Sequence, residues 1–180
     1  LPARLVSMIP VALVLNIVVG QIIGSVGIPL YLDSTGTVLV AALAGPWAGI
    51  ATGVLSSLVW SAFNPSVLPF AATSAAVGGL AGVAIEHGAL KNIATVLLSG
   101  AVIGIVVGML AAPVAAFVYG GTAGVGTGAV VSLLREMGHS LLQSVTLQSF
   151  ISDPLDKALV MLLVWLVLKS LPKRTLAAFR

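Results

Sequence analysis

Ionisable and amide side chains gather in one stretch of this apolar chain, residues 128–157. Only 7% of the 180 residues are charged, whereas a soluble domain carries about 25%. A charged group inside a membrane is costly unless it is paired or functional. The stretch is therefore a candidate small-molecule site, and its polar side chains are Arg135, Glu136, His139, Gln143, Gln148, Asp153, Asp156 and Lys157.

The charge balance indicates which ligand these residues would accept. With Asp33, which follows the first apolar run, they provide four acids against two bases. This balance favours a neutral or mildly cationic polar ligand over a polyanion. We predict a ligand-binding set made of Asp33, Asn64, Tyr119, Arg135, Glu136, His139, Gln143, Asp153, Asp156 and Lys157.

The acids of this set also have a structural interpretation. A helix N-terminus favours a nearby carboxylate, which would explain Asp153 and Asp156 at the start of a last helix. Asp33 or Ser34 can cap the second helix. Lys157 gains nothing from that helix dipole, so it needs a partner, which is Asp33, Asp153, Glu136 or a ligand.

Other polar and aromatic residues have two interpretations as well. Arg135, His139 and Gln143 recur every four residues and would form one stripe on a helix. They can bind a ligand, or Arg135 can pair locally with a neighbour at the water interface. Aromatic residues near Asn64 can form an interfacial belt or the wall of a site; they are Trp60, Phe63 and Phe70.

The composition places the chain among helical membrane proteins. It is 59% hydrophobic with a mean hydropathy of +1.18, and its apolar runs are long and unbroken. Such runs select helices rather than a β-barrel. Cysteine is absent, which excludes disulfides and thiolate sites. We predict one unit over residues 1–180, with a trimmed N-terminus and no need for a cleavable signal peptide.

Breaks at Gly, Pro and polar residues divide the chain into six predicted spans. An amphipathic helix, either lying on the surface or re-entrant, precedes the last of them. The spans cover residues 5–28, 34–44, 47–63, 70–85, 93–119 and 155–171, and the amphipathic helix covers residues 129–151.

The distribution of Lys and Arg predicts the orientation of these spans. Six spans put six basic residues on the side of both termini and only two on the other side. The positive-inside rule then makes the termini cytoplasmic. A crossing by residues 129–151 would send the C-terminal basic cluster outward, so we disfavour it. The six basic residues on the side of the termini are Arg4, Lys91, Lys169, Lys173, Arg174 and Arg180.

Small residues predict where helices approach one another. Gly20 and Gly24 form a GxxxG pair in the first helix, and the fourth helix is rich in Ala and Gly. The fourth helix should therefore pack tightly in the protein interior. The GxxxG pair can serve internal packing or the docking of a partner.

Enzymatic and channel functions fit the sequence poorly. A Ser–His pair must converge through tertiary structure, whereas His139 and Ser140 are neighbours on the chain. The Gly-rich residues 120–128 lack the Lys-Ser or Lys-Thr pair of a phosphate-binding loop. A channel would need a polar stripe, which helices one to five lack. We expect no enzymatic activity, no metal and no cofactor.

Three stretches carry a resemblance to a known family. They are residues 31–49, with a Gly45-Pro46 turn between a short helix and a longer one, residues 152–157 at the predicted entry to the last helix, and the basic residues 169–174. With the six-span pattern, the chain resembles the substrate-binding S component of energy-coupling factor (ECF) vitamin transporters.

The resemblance implies a high-affinity receptor for a vitamin or related micronutrient in a bacterial plasma membrane. It implies a site near the outer face, capped by the loop after helix one. It also implies a transmembrane coupling protein and two cytosolic ATPases as partners, and docking through small residues of helix one, here Gly20 and Gly24. A sensor domain with the same fold, which reads a small molecule without transporting it, is the alternative.

Overall fold

The computed structural model of the protein describes residues 3–122 and 124–172, and every regular element in them is helical. A 3-10 helix, Pro65–Phe70, precedes α4. The α-helices are α1 Ala3–Val26, α2 Thr35–Ala44, α3 Pro46–Ser61, α4 Ala71–Glu86, α5 Ile93–Tyr119, α6 Val125–Glu136 and α7 Leu141–Ser170.

Three helical segments of the described chain are long and apolar enough to cross a membrane. They are Val6–Val26, Pro65–Glu86 and Ile93–Tyr119, while Thr35–Ala44 is apolar but shorter. The prediction of an all-helical chain with membrane-spanning segments is confirmed to this extent. The six-span count and the side of each terminus stay predictions, and Lys173, Arg174 and Arg180 lie outside the described residues.

The loop between α1 and α2 folds back into the protein. A Cβ atom built on Gly20 would come within 2.9 Å of the Asp33 Cβ atom. Gly20 lies six residues before the end of α1, or about 9 Å along the helix axis. The loop therefore runs back along α1 and places Asp33 beside Gly20, among the helices.

Close helix contacts occur where glycines replace larger side chains. A Cβ atom on Gly49 of α3 would lie 2.7 Å from the Gly78 carbonyl oxygen of α4. One on Gly82 would lie 2.5 Å from the Cα atom of Pro46, which begins α3. The predicted tight packing of the fourth helix is confirmed.

A glycine ladder on α5, which the sequence analysis did not identify, brings α7 equally close. Gly100, Gly104 and Gly108 recur every four residues and share one face of α5. Cβ atoms on them would overlap the α7 backbone at residues 153–158 or the Asp153 side chain. This ladder fixes the depth at which Asp153 and its neighbours lie.

The predicted boundary between the sixth and last helices was wrong. Residues 129–151 do not form one helix, because α6 ends at Glu136 and Gly138 has a φ of +96° that an α-helix excludes. The supposed stripe of Arg135, His139 and Gln143 is therefore broken at this turn. A new helix begins after Ser140, whose side chain accepts the Gln143 backbone N–H.

Pro154 does not interrupt the helix, contrary to prediction. It lies inside α7, a 30-residue helix about 45 Å long. An interior proline costs about 3 kcal/mol, and the close packing of Gly104 against residues 153–154 offsets that cost. Asp153 and Asp156 thus lie in mid-helix, so a helix dipole does not explain them.

A buried amide ties α1 to α2 and α3. The Asn16 side chain donates to Thr37 Oγ1 at 2.8 Å and to Ser56 Oγ at 2.9 Å, and it accepts the Gly36 backbone N–H at 2.7 Å. Asn16 is fully buried, so these bonds satisfy a group that would otherwise be costly inside apolar helices. They fix α1 beside the start of α2, directly after the folded-back loop.

Candidate functional site

Four predicted site residues meet between the α1–α2 loop and the middle of α7: Asp33, Asp153, Asp156 and Lys157. Asp156 is 0% exposed and Lys157 is 5% exposed. The Lys157 ammonium is hydrogen-bonded to Asp156 Oδ2 and lies 4.0 Å from Asp33 Oδ1. Asp153, one helical turn earlier, interacts electrostatically with Lys157. Of these carboxylates, Asp33 and Asp153 were among the partners expected for Lys157, whereas its hydrogen-bonded partner, Asp156, was not.

Asp156 fixes the α1–α2 loop to α7. Its Oδ1 atom accepts the backbone N–H groups of both Tyr31 and Leu32 at 2.8 Å. Leu32 has a φ of +49°, which is unfavourable for a residue with a branched side chain. The paired hydrogen bonds to a carboxylate stabilise this loop conformation. Both oxygens of Asp156 are thereby occupied within the protein.

Asp33 is the carboxylate that the protein leaves accessible. Its side chain is 36% exposed, and it forms no hydrogen bond with Lys157 at 4.0 Å. Partial removal from water raises the pKa of Asp33, and the nearby Lys157 opposes this rise without cancelling it. Of the two residues expected to cap α2, Ser34 occupies the N-cap position, without a side-chain cap bond, and Asp33 does not.

A small pocket opens beside Asp33. Its volume is about 50 Å³, which is room for a few water molecules, since one needs roughly 10–15 Å³ on this measure. The walls come from α1, the α1–α2 loop, the end of α3 and the start of α6. The lining residues are Gly20, Gly24, Ile28, Leu30, Tyr31, Asp33, Trp60, Gly124, Gly126 and Thr127.

Glycines make this pocket possible. A Cβ atom on Gly20 would lie 2.5 Å from Trp60 Cη2, and one on Gly126 would overlap the backbone of residues 27–28. Gly24 has open space around it. Of the two glycines predicted to dock a partner, Gly20 is therefore occupied by internal packing, whereas Gly24 is free of such contacts among the described residues.

Two aromatic residues give the pocket most of its polar character besides Asp33. Burial and nearby carboxylates raise the pKa of the Tyr31 phenol far above its usual range, and a hydrogen bond with Thr127 opposes this. Tyr31 is therefore a neutral donor or acceptor. The buried indole N–H of Trp60 has no hydrogen-bond partner in the described structure. Trp60 thus belongs to the lining of the site, in addition to any place it has in an interfacial belt.

Unpartnered polar groups also continue along α7 from Asp156. Gln148, Ser152 and Asp156 recur every four residues and share one helix face. Gln148 is 4% exposed and Ser152 is 2% exposed. The Gln148 Nε2 and Ser152 Oγ atoms have no hydrogen-bond partner among the described residues. The buried side of α7 that faces the loop therefore holds more polar capacity than the protein uses.

The polar residues around the α6–α7 turn lie apart from this cluster. Arg135, Glu136 and His139 are exposed, and none of them forms an ion pair with another described residue. The Gln143 side chain accepts the Ser140 backbone N–H at 3.0 Å, which completes a capping box. The structure thus gives Gln143 a structural role, and ligand contact by all four stays a prediction.

Asn64 and Tyr119 meet at a third location. The Asn64 side chain caps the 3-10 helix by accepting from Ser66. The Tyr119 hydroxyl donates to the Ser66 carbonyl at 2.7 Å, and its ring stacks on Phe70 with centroids 5.7 Å apart. These contacts explain both residues structurally and do not join them to Asp33.

Sequence reasoning overlooked several residues of the site. Tyr31 was left open between an interfacial belt and the wall of a site, and Thr127 and the backbone of Leu32 were not considered. Gln148 and Ser152 carried a usable signal, because polar residues four positions before Asp156 on an apolar helix share its face. No local pattern shows that backbone N–H groups far away in the chain will bind Asp156.

Within the described residues, no three His, Cys, Asp or Glu side chains are placed to hold a metal ion. The expectation that the protein uses no metal is not tested by this observation.

Comparison with protein-family models, curated proteins and solved structures gives no match to this chain. The composition of the chain and the geometry of the cluster are therefore the observations that bear on its function.

Proposed function

We propose that this chain is the substrate-binding membrane subunit of an energy-coupling factor importer, which captures a vitamin or related micronutrient at the outer face of a bacterial plasma membrane. One observation carries the proposal: a buried ion pair of Asp156 and Lys157, with the partly exposed carboxylate of Asp33 beside it, lies next to a pocket inside a protein of apolar helices. Burying such charges costs several kcal/mol per ion. A role in binding a ligand accounts for that cost.

The division of roles within the site follows from its hydrogen bonds. Asp156 and Lys157 act as positioning residues. They fix the α1–α2 loop, and they affect the ligand only by way of this loop. Asp33 and Trp60 contact the ligand, because both line the pocket and have unused binding capacity. Release of the ligand requires this loop to move away from α7.

The energy for transport comes from partner subunits in this proposal. The sequence has no phosphate-binding loop, so a transmembrane coupling protein and two cytosolic ATPases supply ATP hydrolysis. Six spans with both termini in the cytoplasm belong to the proposal; the three apolar segments of sufficient length support its membrane location. Gly24 is the candidate docking position on α1 because its surroundings are open.

The test is co-purification of the tagged full-length chain from a bacterium that contains an energy-coupling module. The expected result is a detergent-stable complex with the coupling protein and both ATPases. Gly24→Leu should weaken the complex if α1 docks there. Val11→Ala, a change on the same helix at an exposed position, is the matched control and should keep the complex intact.

Two results would count against the proposal. Saturable uptake by this chain alone, with no ATPase present, would contradict the need for partners. Reproducible co-purification with a signalling kinase in place of the ATPases would instead establish a sensor domain of the same fold.

A further inference from the structure

The site described above has an excess of negative charge. Three carboxylates, from Asp33, Asp153 and Asp156, surround one ammonium group, from Lys157. Asp156 and Lys157 neutralise each other, and Asp156 uses its second oxygen on the loop. The ion pair is therefore complete without a ligand, and the remaining charge is carboxylate.

Asp33 presents this remaining charge to the pocket. It is a pocket-lining residue and the most exposed acid of the cluster. Lys157 lies at 4.0 Å, beyond the 2.7–2.9 Å of a charge-assisted hydrogen bond. The rise in the pKa of Asp33 agrees with a carboxylate that the protein alone compensates poorly. A ligand cation would supply the missing compensation.

The walls of the pocket determine the shape of that cation. Trp60 lies across from Gly20 and offers an aromatic surface, which attracts cations and packs against flat rings. The remaining wall is mostly glycine and aliphatic side chains. A hydrated inorganic ion would find few oxygen ligands there, whereas a flat organic cation would fit.

Unpartnered donors provide an independent indication of a ligand. The Trp60 indole N–H and the Gln148 amide are buried without acceptors among the described residues. A buried donor without a partner costs about 1–3 kcal/mol. Trp60 lines the pocket, whereas Gln148 lies outside its lining. A ligand with one acceptor group besides its cationic edge would satisfy the Trp60 indole N–H.

We propose that the site takes a small planar organic cation, of the protonated amidine or aminoheterocycle class, whose N–H edge pairs with Asp33 and whose ring packs on Trp60. This inference rests on the proposed function, since it names the ligand class of the same site. The cavity of about 50 Å³ is smaller than a single aromatic ring with its substituent, so the α1–α2 loop moves outward when the ligand enters.

The test uses three probes of nearly equal shape: benzamidine, benzamide and benzoate. They present a cationic, a neutral and an anionic group on the same ring. Unfolding midpoints of the full-length protein in lipid nanodiscs are measured over a range of probe concentrations at equal ionic strength. We expect a saturable rise with benzamidine, at least tenfold weaker binding of benzamide, and no rise with benzoate.

Two variants assign the charge preference to one carboxylate. Asp33→Asn should remove the preference of benzamidine over benzamide. Glu86→Gln makes the same chemical change at an exposed position, at the end of α4 and outside the predicted ligand-binding set, and should keep it. If Asp33→Asn fails to fold, the preference order in the unaltered protein still decides the question.

Equal or stronger binding of benzoate overturns the proposal, as does the absence of a benzamidine-dependent shift or an unchanged preference in Asp33→Asn. These failures differ from a failure of the proposed function. Benzoate binding alongside a complex with the ATPases would reject only the cationic ligand class. Selective benzamidine binding without any such complex would reject the importer subunit and keep the site.

Discussion

At the scale of single residues, Asp156 has the most partners in the site. Its carboxylate binds two backbone N–H groups and the Lys157 ammonium while fully removed from water. A buried charge of this kind is tolerated only with its partners in place. Loss of Asp156 would leave Lys157 buried and unpaired and would release the loop at Leu32.

Asp156→Ala should therefore lower the free energy of unfolding by about 3–5 kcal/mol, the usual cost of breaking a buried ion pair. Chemical or thermal unfolding of the purified protein measures this loss. Glu136→Ala is the matched control, because an exposed residue without such contacts should change stability by less than about 0.5 kcal/mol. A loss below that of the control would show that the buried pair is not formed.

The raised pKa of Asp33 predicts a pH-dependent cost. The folded state binds this proton more tightly than the unfolded chain, whose Asp pKa is about 3.9. The free energy of unfolding therefore falls as pH rises from that value through the folded-state pKa. Asp33→Asn removes this term, so the variant should gain stability over the unaltered protein between acidic and neutral pH.

Parallel thermal unfolding of the two proteins over that pH range measures the difference. The stability difference between the two proteins should be smallest at the acidic end, where Asp33 and the Asn that replaces it are both neutral. It should widen as pH rises. A difference that narrows as pH rises would mean that Lys157 stabilises the ionised form of Asp33 more than burial disfavours it.

At the scale of elements, glycines decide how closely the helices around the site approach. The ladder of Gly100, Gly104 and Gly108 sets α5 against α7, and Gly20 admits both Trp60 and Asp33. Small residues let helix backbones approach closely in membranes, where apolar surface alone gives little drive for association. A single methyl group at these positions is therefore expected to have measurable effects.

Gly104→Ala should destabilise the protein by about 1–3 kcal/mol, the typical cost of overpacking, because the added methyl group overlaps the Asp153 backbone. Gly128→Ala on α6 is the control, since its nearest neighbour would lie at an ordinary 3.6 Å. Alanine also favours a helix over glycine by about 1 kcal/mol. Unfolding curves should thus move in opposite directions for the two variants.

Gly20→Ala should reduce probe binding, because its methyl group would displace Trp60 or Asp33 in the pocket. Val11→Ala, at an exposed position of α1 outside the pocket lining, should leave binding within about twofold, a difference of less than about 0.5 kcal/mol. Benzamidine titrations of both variants measure the effect. Equal affinities would indicate that the pocket is not the binding site.

The helices were largely predictable, and the reasons for the exceptions are physical. Apolar runs and Gly-Pro breaks place the first five helices within a few residues of their observed ends. Pro154 misled the prediction, since local propensity disfavours an interior proline, whereas packing against Gly104 stabilises the helix through it. Gly138, not Pro154, ends the preceding helix.

The site was predictable only in part. Charged residues are rare in an apolar chain and therefore stand out in its sequence. Four of them could be identified together as candidates: Asp33, Asp153, Asp156 and Lys157. Their convergence depends on a loop that folds back along α1, and no periodicity encodes that path. The same reasoning grouped Arg135 and Tyr119 with them by shared polarity, although those side chains lie elsewhere.

At the scale of the whole molecule, the contacts place the site at one end of the helix assembly. Gly126 approaches residues 27–28, and Tyr119 binds Ser66 near the start of α4. At the other end of α4, Trp165 donates to the Leu90 carbonyl at 3.0 Å. One end thus holds the pocket and its loops, while at the other end α7 is hydrogen-bonded to the loop between α4 and α5.

The bonds from Asp156 to Tyr31 and Leu32 join residues 125 and 124 positions apart in the chain. During synthesis, the loop that forms the pocket emerges long before the helix that holds it. The site thus assembles only after α7 has been synthesised. A nascent chain stopped at residue 140 should leave residues 27–33 open to protease, whereas one carried beyond residue 170 should protect them. Assembly of the pocket loop is therefore coupled to the synthesis of α7.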